Sequence, residues 1–508
     1  MRLPYIICSA LLFLTLNTTA QTPDDALRNI WFIPGGTGRA MGIGGAMGSL
    51  GADISSAGVN PAGIGMYKSK EVVFSPGFMF NSNSADYRGT SANSSASAFA
   101  YGATGIVLSA PSTENGKFTN FAFALSVNQL ASYNNHVHYQ GYNNYSSYAE
   151  QFAEELARDY ASPTAAEQNY IFGSSLAYRT YLIDTSTANG QLTYFTLPNP
   201  ATGLNQTYDA VTSGSYNEAN ITFAGSLNDK FFIGFSLGIP FISYRRDQTF
   251  TETDASGDPN NNFASSTYTQ NYRSTGVGLN LKFGLIYKPT QNFRVGFALH
   301  TPSYIWFTDN IRASMTTNTE AYAGTISENS DNLNSGDAGE TQYTLTTPLK
   351  AMASATYLFN AVQDTHKQRG FVTADVEYVG YGMSRFSTST DQSAGTDYYS
   401  TLNSATSDYL KGNVNVRLGG ELKFDPWAFR LGGAYYSSPY RDSQLKASRA
   451  QADFGVGYRA HGFFIDLTYV ETFNKDVNFP YRLNDKANTY ADIKDSRGSV
   501  VLTVGFKI

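Results

Sequence analysis

Beyond residue 70 the chain is written in an alternation of apolar and polar positions. Phe293, Val295, Phe297 and Leu299 fall on one face, opposite Arg294, Gly296, Ala298 and His300. Val277, Leu279, Leu281, Phe283 and Leu285 oppose Gly278, Asn280, Lys282 and Gly284; Val414, Val416, Leu418 and Leu422 oppose Arg417, Gly419, Glu421 and Lys423. Phe463, Ile465, Leu467 and Tyr469 oppose Asp466 and Thr468. A period of two predicts β-strands with one apolar face. Fourteen are predicted: 71–80, 97–110, 117–133, 208–228, 231–253, 267–288, 292–317, 341–359, 369–388, 408–424, 427–437, 449–459, 461–473 and 496–508. The links alternate between short (111–116, 229–230, 289–291, 360–368, 425–426, 460) and long (81–96, 134–207, 254–266, 318–340, 389–407, 438–448, 474–495). A sandwich has no reason to produce that rhythm. An outer-membrane barrel does, with short periplasmic turns, long external loops and an even number of strands. It also inverts the usual polarity, so the apolar faces point at lipid and the charged faces into the bore.

Composition sharpens this reading. Aromatic residues make up 14% of the chain and charged residues only 15%, against about 25% charged in soluble domains. After the first twenty residues no apolar run reaches the roughly 18 residues of a membrane helix, whereas alternating strands present an apolar exterior without one. Those first twenty read as a cleavable signal peptide for export: Arg2, an apolar stretch from Leu3 to Leu16, and Thr18-Thr19-Ala20 before Gln21. Cys8, the single cysteine, lies within it, so the exported chain has neither disulfides nor thiolate metal sites. The formal net charge is −6, and no basic cluster points to nucleic acid. The organisation predicted is a signal peptide at 1–20, an N-terminal hatch at 21–70, and a barrel at 71–508 with a long extracellular loop at 134–207. The fold class is an all-β membrane protein, a 14-stranded antiparallel outer-membrane β-barrel whose lumen is plugged by a glycine-rich hatch.

The hatch is read from Pro34–Tyr67, which holds eleven glycines between Gly35 and Gly65 among Ala40, Met41, Ile43, Ala46, Met47, Leu50, Ile54 and Val59. Glycine lets the backbone take left-handed angles and approach its neighbours closely, and the apolar content suits a compact insert. A nucleotide-binding loop fails, because the third place after Gly44 is Met47 and no βαβ context exists. The GxGRAMGxGGA run at Gly36–Ala46 and the Asn60-Pro61-Ala62-Gly63 element resemble the FadL/TodX family of outer-membrane hydrophobic-compound channels, as a Bacteroidetes-like member. The resemblance implies passive transport of hydrophobic small molecules, such as long-chain fatty-acid-like or aromatic hydrocarbon compounds, with Gly42, Gly44, Gly45, Asn60, Pro61, Ala62 and Gly63 as hatch and gating residues. It also implies a lateral exit at an early strand, for which Pro76, Gly77, Gly102 and Gly105 are the nearest candidates. Pro61 fixes its own angle and biases Asn60 toward an extended conformation, although Asn-Pro is also a common loop turn.

The long loop contains a capping box, Ser147-x-x-Glu150, followed by Ala149, Phe152, Ala153, Leu156, Ala157 and Tyr160 at helical spacing. Its stripe either orders neighbouring loops or, through Phe152 and Leu156, lines a ligand entrance. Pro240, Pro302 and Pro348 interrupt strands near the outer rim of the apolar band, either where pairing loosens or as a wall defect. The final strand puts Val500, Leu502, Val504, Phe506 and Ile508 on one face, similar to the C-terminal signal read by the barrel-assembly machinery. The five histidines form no HExxH, so no metal, cofactor or enzyme activity is predicted; His136 and His138 share one side of an extended segment and could hold haem. Of the lumen-facing charges Lys282, Arg294, Arg417, Glu421, Lys423 and Asp466, the mixed signs favour a self-neutralising network around the hatch. Arg294, His300 or Arg417 could instead meet a ligand headgroup. The expected partners are a hydrophobic small-molecule ligand, outer-membrane lipid and lipopolysaccharide. A receptor barrel for haem or a host surface component is the rival class, and an unspecific porin the third.

Overall fold

The structure, a computed structural model, describes residues 23–111, 117–188, 190–359, 369–388, 396–443, 445, 447–460 and 462–508. The signal peptide at 1–20 lies outside these residues, as do His366 and His461.

Fourteen antiparallel strands close into a barrel. They are β1 (Glu71–Phe74 and Pro76–Tyr87), β2 (Thr90–Tyr101 and Thr104–Pro111), β3 (Phe118–Ser132 and Asn135–Asn143) and β4 (Leu204–Leu227). Next come β5 (Phe231–Asp254), β6 (Ser265–Tyr287), β7 (Phe293–His300 and Tyr304–Asn318), β8 (Gly339–Thr346 and Lys350–Phe359) and β9 (Gly370–Gly380 and Arg385–Thr388). The last five are β10 (Gly412–Phe424), β11 (Trp427–Tyr436), β12 (Ser448–Ala460), β13 (Phe463–Asn478) and β14 (Ala491–Lys507). Each pairs with the next, and β14 returns to β1 from Glu71↔Lys507 to Asp86↔Asp492. The count and order are those predicted.

The polarity is inverted as expected. Val277, Phe297, Leu418 and Leu467 are about half exposed (51–57%), whereas Lys282, Arg417, Glu421 and Asp466 are 4% exposed or less. On β5 the outward positions run apolar from Phe231 to Phe241. That span is about 33 Å along the strand and about 25 Å of height at a 40° tilt, the thickness of an apolar band.

Two expectations about links are corrected. Residues 81–96 are strand, not a long loop: β1 and β2 pair down to Tyr87↔Thr90 around a two-residue turn in which Arg88 and Gly89 have φ of +51° and +82°, the conformation of a tight hairpin. The excursion expected at 134–207 begins later, because residues 135–143 continue β3 against β4 (Asn135↔Thr212 to Asn143↔Leu204). Strands here run on past the apolar band and carry a cap of helices and loops.

Within the cap, Tyr148–Arg158 is a helix with both capping-box bonds formed. Phe152 and Leu156 turn into an apolar core with Phe250, Tyr268, Met315 and Tyr481. A further helix, Thr396–Tyr409, occupies the stretch expected as loop to 407 and the first two residues of the strand expected from 408, and its Asn403 amide clasps both backbone groups of Phe386.

Candidate functional site: the filled bore and its cavities

Residues 35–67 pack inside the barrel as short turns: Gly38–Met41, Ser56–Val59 and a 3-10 stretch Pro61–Met66. Thr37 starts the first, its hydroxyl accepting from Ala40 N at 3.1 Å. The seat is built of small residues on both sides. Gly44 has φ +71°, and a Cβ on it would lie 2.7 Å from Gly433 O; a Cβ on Gly432 would lie 2.1 Å from Gly44 N. Gly42 N and Gly45 N close the turn by donating to Gly38 O and Ala40 O, both at 2.9 Å. Asn60 is extended (φ −142°, ψ 101°), as the following proline requires. Its amide donates to Gly48 O at 2.6 Å and accepts from Ala62 N at 3.1 Å, while Gly63 N donates to Asn60 O at 2.9 Å. Gly284 in the wall leaves room for the Asn60 amide, and Gly234 does the same for Pro61 and Ala62. Of the residues named from the two motifs, Gly42, Gly44, Gly45, Asn60, Pro61 and Ala62 thus lie against the wall, whereas Gly63 packs on Ser56 and Gly51 within the segment.

Charges in the bore neutralise one another around this segment. Arg430, fully buried on β11, holds Glu421 of β10 and Asp466 of β13, each at 2.6 Å. Arg39 of the inner segment stands 3.8 Å from Glu421, and Asp375 accepts from Gly48 N at 3.0 Å. Lys282 pairs with Glu218 at 2.6 Å and Arg417 with Glu377 at 2.8 Å. Arg294 donates to Leu50 O at 2.5 Å, and His300 is bonded to Val59 O at 2.9 Å. Arg294 and Arg417 are therefore committed to protein groups. Sequence reading missed Arg430, Glu218, Glu377 and Asp375, whose significance lies in cross-strand partners.

Two cavities meet at the segment. The inner one, about 90 Å³, is lined by Phe32, Met41, Val59, His300, Lys350 and Arg417 among others. The outer one, about 890 Å³, opens beneath the cap. Phe32, Gly35, Gly36, Met41 and Leu130 border both. The capping helix shows the outer cavity Tyr148, Gln151, Glu155 and Arg158; Phe152 and Leu156 face away from it. Burial pushes the Glu155 carboxyl above the usual carboxylate range, against the hydrogen bond it accepts from Ser174. Three cations stand on aromatic faces with no carboxylate within 4.0 Å among the described residues. Arg449 lies 4.0 Å from the Trp31 ring, Arg246 5.5 Å from Tyr272, and Lys350 5.2 Å from Phe32.

The wall changes character beside the outer cavity. The inner halves of β2 and β3 pair normally, from Thr104↔Val127 to Pro111↔Asn120. Their outer halves have no backbone ladder among the described residues: Thr90–Tyr101 pairs only with β1, and Asn135–Asn143 only with β4. Side chains bridge the interval. Ser94 Oγ donates to His136 O at 2.5 Å, Tyr101 N to Gln129 Oε1 at 3.0 Å, and Tyr101 OH reaches Asn217 of β4 at 2.8 Å. At its base Gly102 admits Gly36 O, which a Cβ would meet at 1.9 Å. Of the other early candidates, Pro76 is laddered to one neighbour (Pro76↔Tyr101) and Gly77 to both (Gly77↔Ala100, Gly77↔Val501), and Gly105 lies in the paired inner half opposite Ser126. Of the prolines at the rim, Pro240 stays paired with Glu218 of β4 but interrupts the β5–β6 ladder, which goes from Gly238↔Asn280 to Phe241↔Val277. Pro302 and Pro348 share a level, but Thr347 N donates to Ser303 O at 2.9 Å across the break.

His136 and His138 both bond the Asp209 carboxylate, at 2.9 and 3.0 Å. Among the described residues no group of three or more metal-ligating side chains could hold an ion.

No protein-family model matches the sequence, and no curated protein matches it. Solved structures do. A Pseudomonas aeruginosa FadL homologue aligns over 94% of this chain and 98% of its own at 14% identity, with a TM-score of 0.53. The Ralstonia pickettii toluene transporter TbuX aligns over 94% and 99% at 15% identity, with a TM-score of 0.50. The P. putida toluene transporter TodX aligns over 94% and 99% at 12% identity, also at 0.50. At these identities the likeness is one of fold: the chain has the fold of the FadL-type outer-membrane channels, as its glycine motifs and strand rhythm led us to expect.

Proposed function

We propose that this barrel carries hydrophobic small molecules passively across the outer membrane, with residues 21–70 acting as a hatch. The observation that carries the reading is the placement of the outer cavity. It ends on the inner segment at Gly35 and Gly36 and on the unladdered wall at Ala100, Tyr101 and Gly102. A ligand entering beneath the cap meets the hatch and the wall together, so displacing Gly36 from Gly102 frees a sideways path into lipid. The similar proteins whose names specify toluene transport support the class of solute.

The chain's own residues refine it. Arg246, Arg449 and Lys350 have no carboxylate partner among the described residues yet lie on aromatic rings, a combination that suits an amphipathic acid: carboxylate to guanidinium, apolar tail to the ring faces. Long-chain fatty-acid-like compounds fit better than neutral aromatic hydrocarbons. On this reading a signal peptide at 1–20 exports the chain, and the barrel-assembly machinery, reading Val500–Ile508, inserts it in the outer membrane.

The test is uptake in cells expressing the barrel, using a labelled long-chain acid and its methyl ester. R246Q/R449Q is expected to lower acid uptake severalfold and leave the ester unchanged. Equal loss of both would refute the acid preference. No barrel-dependent uptake of either would refute the channel.

A further inference from the structure

The lipid-facing surface of β5, β6 and β7 carries a feature that transport does not use. The last apolar outward row is Phe241, Val277 and Trp306; the next is Ser243, Thr275 and Thr308. Above it Arg245 stands directly opposite Arg273, which is opposite Asn310; the row after that is Asp247, Asn271 and Arg312. Two steps of this ladder raise the arginines about 10 Å above the apolar edge, the level of lipid headgroups.

Like charges directly opposite one another destabilise a sheet. Arg245 turns its Nε to Asp247 at 2.7 Å, and the second oxygen of Asp247 accepts from Asn271 at 2.6 Å. That carboxylate is used up. Arg312 is tied to Asp331 and to Gly336 O. Glu340, opposite Asn310, accepts from Gln342 at 2.9 Å. Arg273 is exposed and has no acceptor among the described residues. Two guanidiniums thus stand side by side over a row of hydroxyls with one carboxylate, in the next row, bonded to Arg245 alone of the two, and their terminal amino groups have no acceptor among the described residues.

We propose that this face binds the phosphorylated sugar headgroup of lipid A in the outer leaflet. Arg245 and Arg273 fork onto a phosphate, which guanidinium geometry matches in bidentate fashion. Ser243, Thr275 and Thr308 face the sugar and acyl linkages beneath, and Phe241, Val277 and Trp306 face the chains. The site rests only on the barrel and its orientation.

Purified barrel in detergent is titrated with bisphosphorylated lipid A, dephosphorylated lipid A, phosphatidylglycerol and inorganic phosphate. Bound lipid is read by native mass spectrometry, and heat-modifiable gel migration confirms the fold. Wild type is expected to favour bisphosphorylated lipid A. R245Q/R273Q is expected to weaken that binding about tenfold or more, as losing a charge-assisted pair does, with migration unchanged. R245K/R273K keeps the charge but not the fork and is expected to fall between. Equal binding of dephosphorylated lipid A, phosphatidylglycerol or free phosphate by wild type would overturn the proposal. So would undiminished binding by a folded R245Q/R273Q or by R245K/R273K.

Discussion

Replacing Arg430 with methionine should be the most damaging single change in the wall. Its guanidinium is fully buried and bonds Glu421 and Asp466 at 2.6 Å each. Unit charges about 4 Å apart at an effective dielectric of about 20 attract by about 4 kcal/mol. The net loss is smaller than two such terms, since Arg39 and Lys423 stand 3.8 Å from Glu421 and Arg459 3.6 Å from Asp466. Removing one partner of a buried ionic group typically costs about 3–5 kcal/mol; with those cations at hand we expect about 3 kcal/mol. The readout is urea unfolding of the barrel in lipid vesicles. The control is R430M/E421Q/D466N, which leaves no orphaned carboxylate and should recover more than half of the loss. A cost below about 1 kcal/mol for R430M, or a triple variant as unstable as the single, would refute the idea that this network is held by mutual neutralisation.

Deleting residues 35–65 empties the bore, so planar-bilayer recordings should change from a closed barrel to a steady large conductance, while hydrophobic uptake loses its selectivity. Unchanged uptake with lost surface binding would favour a receptor instead. Cysteines at Ser94 and His136, whose groups meet across the unladdered stretch, joined by a short reducible crosslinker, should block hydrophobic uptake until reductant is added. Uptake that persists with the link intact would exclude this stretch of wall as the exit.

What the sequence showed and what it hid have a common physical origin. Alternation was legible wherever a strand separates lipid from bore, because the two sides differ so sharply: Phe297 beside Gly296, Leu418 beside Arg417. It faded at 81–96. The stretch Ser91–Ala100 carries Ser, Asn and Ala on both faces but for Phe99, so neither face stands out and the turn residues looked like a loop. The same small side chains leave this edge without bulky cross-strand pairs, and that edge is where the ladder is missing. The glycine segment announced a close-packed insert, but not its seat, because the seat is the absence of side chains at Gly284 and Gly432, hundreds of residues away. Ion pairs were hidden for a related reason. Glu421 and Arg430 are direct cross-strand partners, and Asp466 reaches Arg430 from two strands on. Such neighbours exist only once the register is set, and register follows from closing all fourteen strands at once. The parts that would move during transport are thus the parts with the weakest local signal, since a movable contact is built from small residues and distant partners rather than from strong periodicity.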